Sequence, residues 1–209
     1  MSMEEPTPHW YALKVFYNKV FETEDLLTAM GIETYLAVDK VILKGAAHLI
    51  ARRHMANLKA EGKRDTRYVE DGALIWQRTP LVSSLLFFRC DEDGLRSIEN
   101  VMRDANGNAK GFIYKTADWK QYAVIPDAQM KAFQLVTAKG SEGLEFFSSD
   151  DITRFREGRK VRVKEGPFKG AEGYIKRIRR DRRLLVSIEG IVAVATAFID
   201  PELLETVPE

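Results

Sequence analysis

The sequence predicts an α+β chain in two parts, an α/β sandwich followed by a small all-β domain. Three observations predict it. Over the first 138 residues the apolar patterns run strand, helix, strand, a charged excursion, strand, helix, strand, helix, an order that suits a ferredoxin-like sandwich. Lys139-Gly140-Ser141-Glu142-Gly143 then reads as a linker. From Gly158 onward short alternating strands follow one another across glycine-containing turns.

Trp10 to Tyr17 is aromatic and apolar and predicts a first strand, bulky enough to be central in its sheet. Asn18 can start a helix with Val20, Leu27 and Met30 on one face, and Gly31 is placed to end it. Ile32 to Val38 predicts a second strand. Between Lys40 and Arg67 apolar residues mix with many cations, predicting a short basic helix and a charged loop around Gly62. That excursion is either a solvated surface or a nucleic-acid contact, for which Arg52 and Arg53 are the candidates. His48 and His54 are six apart and do not share a helix face at ligand spacing.

Ala73 to Trp76 predicts a strand, and Leu81 to Cys90 the strongest strand of this half. Its near-continuous apolar character implies burial on both faces. Asp91 and Asp93 can cap a helix over Gly94 to Arg103, with Leu95, Ile98 and Met102 as its stripe. Asn106-Gly107-Asn108 is a turn, Phe112 to Tyr114 a short strand, and Tyr122 to Ile125 another. Pro126 suits the first turn of a helix that carries Met130, Phe133 and Val136 inward. Phe146-Phe147 is too apolar for a free linker and predicts docking on a domain.

In the second part Val161 and Val163 alternate with Arg162 and Lys164, the period of a half-buried strand. Gly166-Pro167 breaks it. Gly170 and Gly173 sit where a second strand must start close to another backbone, or with positive φ. Arg179-Arg180-Asp181-Arg182-Arg183 is a charged turn. Leu184 to Ile188 and Ile191 to Phe198 are further strands, separated by Glu189-Gly190. The run from Gly158 to Ile175 resembles a KOW motif, the strand-loop-strand core of a small SH3-like barrel. The boundaries are then 1–138 for the first domain (with the excursion at about 40–78), 139–153 for the linker and 154–209 for the barrel.

The 209 residues carry a net charge of +1 and are 45% hydrophobic, enough to bury a core and inconsistent with disorder. Charge is unevenly placed: cations dominate from Arg154 to Arg183, while Glu142 to Asp151 and Asp200 to Glu209 are acidic. The basic run is either a solvated face or a contact with RNA, DNA or a ribosomal partner. Cys90 is the only cysteine, so no internal disulfide forms, and its apolar run marks it as a small buried hydrophobe. Met1 to His9 is polar with two prolines, unlike a signal peptide, and no stretch approaches the roughly 18 apolar residues of a membrane span. A soluble, cytoplasmic protein with no membrane partner is expected. There is no Gly-rich phosphate loop, metal-ligand cluster or nucleophile–base pair, so no enzyme, cofactor or metal is expected either.

Taken in order, these segments resemble the NusG family of transcription elongation factors. Trp10-Tyr11-Ala12-Leu13 resembles its opening strand and Thr79-Pro80-Leu81-Val82-Ser83-Ser84-Leu85-Leu86-Phe87 its central strand. Gly111-Phe112-Ile113 and Ala123-Val124-Ile125-Pro126 resemble the approach to its last helix. The likeness spans nearly the whole chain outside about Lys40 to Arg78. Its details look closer to operon-specific paralogues of the RfaH type, or of the UpxY type associated with capsular polysaccharide operons, which the Asp151-Ile152-Thr153 lead resembles.

The resemblance implies an N-terminal (NGN) domain that grips the clamp helices of RNA polymerase through an apolar patch and raises processivity without making or breaking a bond. Matched position by position, that patch is Val82, Leu85, Phe87 and Met130, with Phe112 beside them; Lys14 and Lys115 stand where the RfaH type has apolar or aromatic residues. Arg96, Ser97 and Arg103 match positions that meet displaced single-stranded DNA in the RfaH type. Non-template DNA or nascent RNA, and a ribosomal protein at the KOW barrel, are the further partners implied. Glu189 stands where housekeeping members dock an aromatic, which implies weak docking of the termination factor. Two alternatives stay open: a housekeeping NusG-like elongation factor, and a ribosome- or RNA-associated KOW protein.

Overall fold

Alternation along the first strand sends Tyr11, Leu13 and Val15 to one side and Trp10, Ala12 and Lys14 to the other, and all but Lys14 are buried. A strand apolar on both faces needs a layer on each. The computed structural model, which describes residues 7–43, 49, 53, 56, 68–70, 73–138, 140–148, 159–178 and 181–207, supplies both layers and is of mixed α+β class.

The first half runs β1 (His9–Val15), α1 (Val20–Ala29), β2 (Glu33–Tyr35), β3 (Val38–Leu43), β4 (Tyr68–Glu70), β5 (Ala73–Pro80), β6 (Leu85–Cys90), α2 (Glu92–Val101), β7 (Gly111–Ile113) and α3 (Asp127–Thr137). Strands β2-β6-β1-β7 form one antiparallel sheet, in that order, and β3-β5-β4 a second. On one face of the four-stranded sheet, Tyr11, Leu13, Leu86 and Phe88 pack with Val20 and Leu27 of α1 and Leu95 and Ile98 of α2. On the other, Trp10, Ala12, Leu85 and Phe87 pack with Met130, Phe133 and Val136 of α3. Each fully buried large side chain of these layers contributes roughly 1.5–3 kcal/mol.

The second half contributes β8 (Glu145–Ser148), β9 (Lys160–Val163), β10 (Glu172–Ile178), β11 (Asp181–Ile188), β12 (Val192–Phe198) and β13 (Leu204–Thr206). They form a six-stranded antiparallel sheet in the order β13-β9-β10-β11-β12-β8. Gly170 adopts a φ of +87°, and a Cβ on Gly173 would lie 2.4 Å from the Leu185 carbonyl oxygen. The Phe146-Phe147 segment docks as expected: β8 pairs along β12, Phe146 opposite Val194 and Phe147 opposite Ala193.

Several boundaries differ from the sequence reading. The expected strand over Ile32 to Val38 splits, because the chain leaves one sheet after Tyr35 and enters the other at Val38. The strongest strand starts at Leu85, since Leu81 to Ser84 turn and Ser84 takes a φ of +62°. Asn18 also lies in the left-handed region, leaving Lys19 at the helix cap without a side-chain bond, and Met30 is exposed. Tyr122 and Ile125 make only isolated bridges, to Lys115 and Trp10. Of the expected basic helix of the excursion only Leu49, Arg53 and Ala56 are described, each in helical conformation, and the expected start of the second domain at 154 lies outside the described residues. Among the described residues no helix is long and apolar enough to cross a membrane.

Candidate functional site

The α3-facing side of the four-stranded sheet is built by register. Trp10 sits opposite Arg89, Ala12 opposite Phe87, Lys14 opposite Leu85, and Phe112 opposite Lys14. Helix α3 covers one end of this face. Phe133 packs on Phe87 at 5.2 Å between ring centroids and meets Tyr35 edge-on at 6.4 Å. The Tyr35 hydroxyl and Thr137 Oγ1 are 2.6 Å apart, tying the end of the helix to β2.

Beyond Leu85 the face opens. Phe112 is 42% exposed although it stands on a sheet. Phe16 lies 6.0 Å from it and Tyr114 5.4 Å, and Tyr17 continues the run 6.1 Å from Phe16. Tyr17 is 79% exposed and holds a φ of +57°, a conformation bulky side chains rarely adopt. The turn that carries Val82 borders this end: the Val15 N–H donates to the Ser84 carbonyl, and Lys14 Nζ donates to the Ser83 carbonyl at 3.3 Å. Lys110 and Lys115 are exposed nearby, the latter 5.3 Å from the centre of the Tyr122 ring.

Of the residues chosen from the sequence, Leu85, Phe87 and Met130 are therefore core side chains, Val82 is half-buried against the same core, and Phe112 reaches the surface. Phe16, Tyr17 and Tyr114 were missed. Tyr114 was signalled, because it alternates with Phe112 and so shares its face; Phe16 and Tyr17 lie past the strand end, where period two carries no information.

Arg96, Ser97 and Arg103 belong to the other layer. They are exposed on and just after α2, whose Leu95, Ile98 and following Met102 pack on the opposite face of the sheet from Phe112. Arg96 pairs with Asp93 at 3.6 Å, Ser97 Oγ donates to the Asp93 carbonyl, and Arg103 donates to the Gly107 carbonyl. Glu99 is engaged by the Tyr122 hydroxyl. Arg53 is exposed in the excursion, and Arg52 lies outside the described residues.

Burial pushes the Cys90 thiol up to about 11 and, with Glu99, the Tyr122 phenol to about 12; burial also raises Tyr114 and Tyr35. What the arrangement offers is contact area: ring faces, a half-buried valine and amines.

The second half meets the first on the far side of α3. A cavity of about 110 Å³ there is lined by Gln129 and Ala132 of the helix and by Lys160, Glu172, Tyr174 and Ser187 of the strands. The backbone N–H of Glu189 donates to Gln129 Oε1 at 3.3 Å. No family model and no curated protein matches the chain.

Proposed function

We propose that this chain is a transcription elongation and antitermination factor of the NusG type. It binds the clamp helices of RNA polymerase and increases processivity, on particular operons such as those for capsular polysaccharide biosynthesis. On this reading residues 1–138 are an NGN-like domain in a ferredoxin-like arrangement, 154–209 are an SH3-like KOW barrel, and the protein works in the cytoplasm beside the polymerase. Its work is binding, not catalysis. It shifts the polymerase toward its active state only as far as its affinities for the two states differ.

The observation that carries the reading is the aromatic run Tyr17, Phe16, Phe112 and Tyr114 at the uncovered end of the sheet. Rings of this size bury enough area to anchor a partner at low entropic cost, and aromatics are enriched at such anchors. Val82 widens the patch, while Leu85, Phe87 and Met130 support it from beneath. Lys14, Lys110 and Lys115 around it favour a partner with acidic flanks. Arg96, Ser97 and Arg103, on the opposite face, are the candidates for non-template DNA, with Arg53 in the excursion.

Capture of bacterial core RNA polymerase by the full chain tests this. The wild type is expected to retain the enzyme, and Phe112→Asp to weaken retention by about tenfold or more, as for a hot-spot aromatic, while keeping its circular dichroism spectrum. Undiminished capture by folded F112D would move the surface elsewhere. Failure of the folded wild type to capture polymerase would end the reading.

A further inference from the structure

Lys139 to Gly143 has the composition of a linker, yet both halves of the molecule hold the chain that begins there. Asp39 on β3 takes it first. The Ser141 N–H donates to Asp39 Oδ1 at 2.7 Å, and Ser141 Oγ donates to Oδ2. Gly140 lies against the same carboxylate: it holds a φ of +92°, and a Cβ there would come within 2.4 Å of Oδ1. The chain then turns through Gly143, whose φ is +72°, and runs as β8 antiparallel to β12.

Strand β8 covers a partner more buried than itself. It is four residues long with none of them fully buried, whereas Val192 to Thr196 of β12 are all buried. Phe146 packs on one face of the sheet, against the cluster that holds Val192 and Val194. Phe147 packs on the other, against Leu185, Ala193 and Ala195. Two adjacent rings thus straddle the β12 edge, as alternation along a strand requires. Before them, Glu145 reaches Arg183 at 3.0 Å. The Arg183 side chain is only 18% exposed, so a strand without an acid at that position would remove the carboxylate that now meets a largely buried cation. An edge stripped of such a cover offers its N–H and C=O groups to the next strand that arrives.

We infer that residues 141–148 are a strap, latched at Asp39, which fills a strand-docking edge on β12 from within, and that the vacated edge takes an extended segment of a partner protein bearing an acidic residue followed by two large apolar ones. Docking of this kind draws affinity from backbone hydrogen bonds and selectivity from the side chains on the two faces. The strap is the competitor. Its covalent tether gives it a high effective concentration at the edge, and the latch shortens that tether. Releasing Ser141 from Asp39 lowers the concentration against which an outside strand competes. The inference stands on strand register and not on the polymerase reading.

The test is fluorescence anisotropy of the full chain, without polymerase, using a labelled peptide copied from the strap, Gly143 to Ser148, and a second copy carrying Glu145→Gln. The wild type is expected to bind the first peptide weakly, because its edge is filled. Asp39→Ala removes two hydrogen bonds to a charged group and is expected to bind it about tenfold more tightly. The Glu145→Gln peptide is expected to bind D39A about tenfold less well than the first, having lost its charge-assisted bond to Arg183. Amide hydrogen exchange gives a second readout on the same proteins: D39A is expected to speed exchange at Val192 to Ala195 and to leave β9 and β10 as in the wild type. Peptide binding no tighter to D39A than to the wild type, or unchanged exchange at β12, would overturn the strap. Faster exchange spread through the whole second half would overturn it too, since the variant would then have loosened the sheet and not the latch. Equal binding of the two peptides would overturn the acidic residue as part of the docking segment.

Discussion

Gly173 and Gly190 are required for different physical reasons. At Gly173 a methyl group would meet the Leu185 carbonyl oxygen at 2.4 Å, a backbone atom held by the sheet. At Gly190 the space is open, but φ is +73°. Gly173→Ala is therefore expected to cost about 1–3 kcal/mol through overpacking, and Gly190→Ala about 1 kcal/mol through backbone conformation alone. Urea unfolding with matched m-values measures both, and a Gly190→Ala loss larger than that of Gly173→Ala would reverse the assignment. The sequence marked Gly170 and Gly173 as special without separating the causes. Gly170 needs its φ of +87°, whereas Gly173 needs its missing side chain. A local pattern carries the first kind of need. The second depends on Leu185, twelve residues away, and becomes visible only once β10 and β11 are paired.

Among the elements, β9 and its neighbours join charge to pH. Arg162 reaches Glu172 at 2.6 Å on β10 and Glu205 at 3.3 Å on β13, so one side chain spans three strands. The hydrogen bond from Arg162 holds the Glu172 carboxyl below its usual range. A lowered folded-state value means that the contribution is fully present above the ordinary carboxylate value and is lost as pH falls through the folded one. The pair is exposed, so the effect is small. Arg162→Gln is expected to flatten the acid limb of the melting-temperature profile below about pH 5 while leaving neutral pH less affected; an unchanged acid limb would mean that the bridge carries no stability. Legibility follows the same division between local and distant causes. Helix α2 was readable because Asp91 caps it through the Gly94 N–H and its stripe is strictly periodic. The segment around Ile125 was misread as a strand because Ile125 is buried in the core shared with Trp10 and Phe133, while only isolated bridges, Tyr122 to Lys115 and Ile125 to Trp10, tie its backbone to neighbours.

At the scale of the whole molecule, α3 is the shared piece. Its Met130, Phe133 and Val136 face the four-stranded sheet, as their spacing foretold. Ala132 is also buried, and with Gln129 it faces the strands of the second half across the small cavity. One cluster of buried residues therefore runs from Trp10 and Phe87 through Phe133 to Val186 and Val194. Nothing in the sequence announced this, because an alanine between two apolar stripes reads as neutral until something packs on it. A continuous core unfolds as one unit. In urea, Trp fluorescence, which includes Trp10 of the first half, and the amide signals of β11 in the second half are expected to report the same midpoint. Ala132→Glu places an unpaired carboxylate in that contact, where burial of a charge is costly, while the sheet-facing residues of α3 stay in place. The two probes should then separate into distinct transitions. Coincident transitions in A132E, or separate ones in the wild type, would mean that the halves are stable independently and that α3 belongs to the first alone.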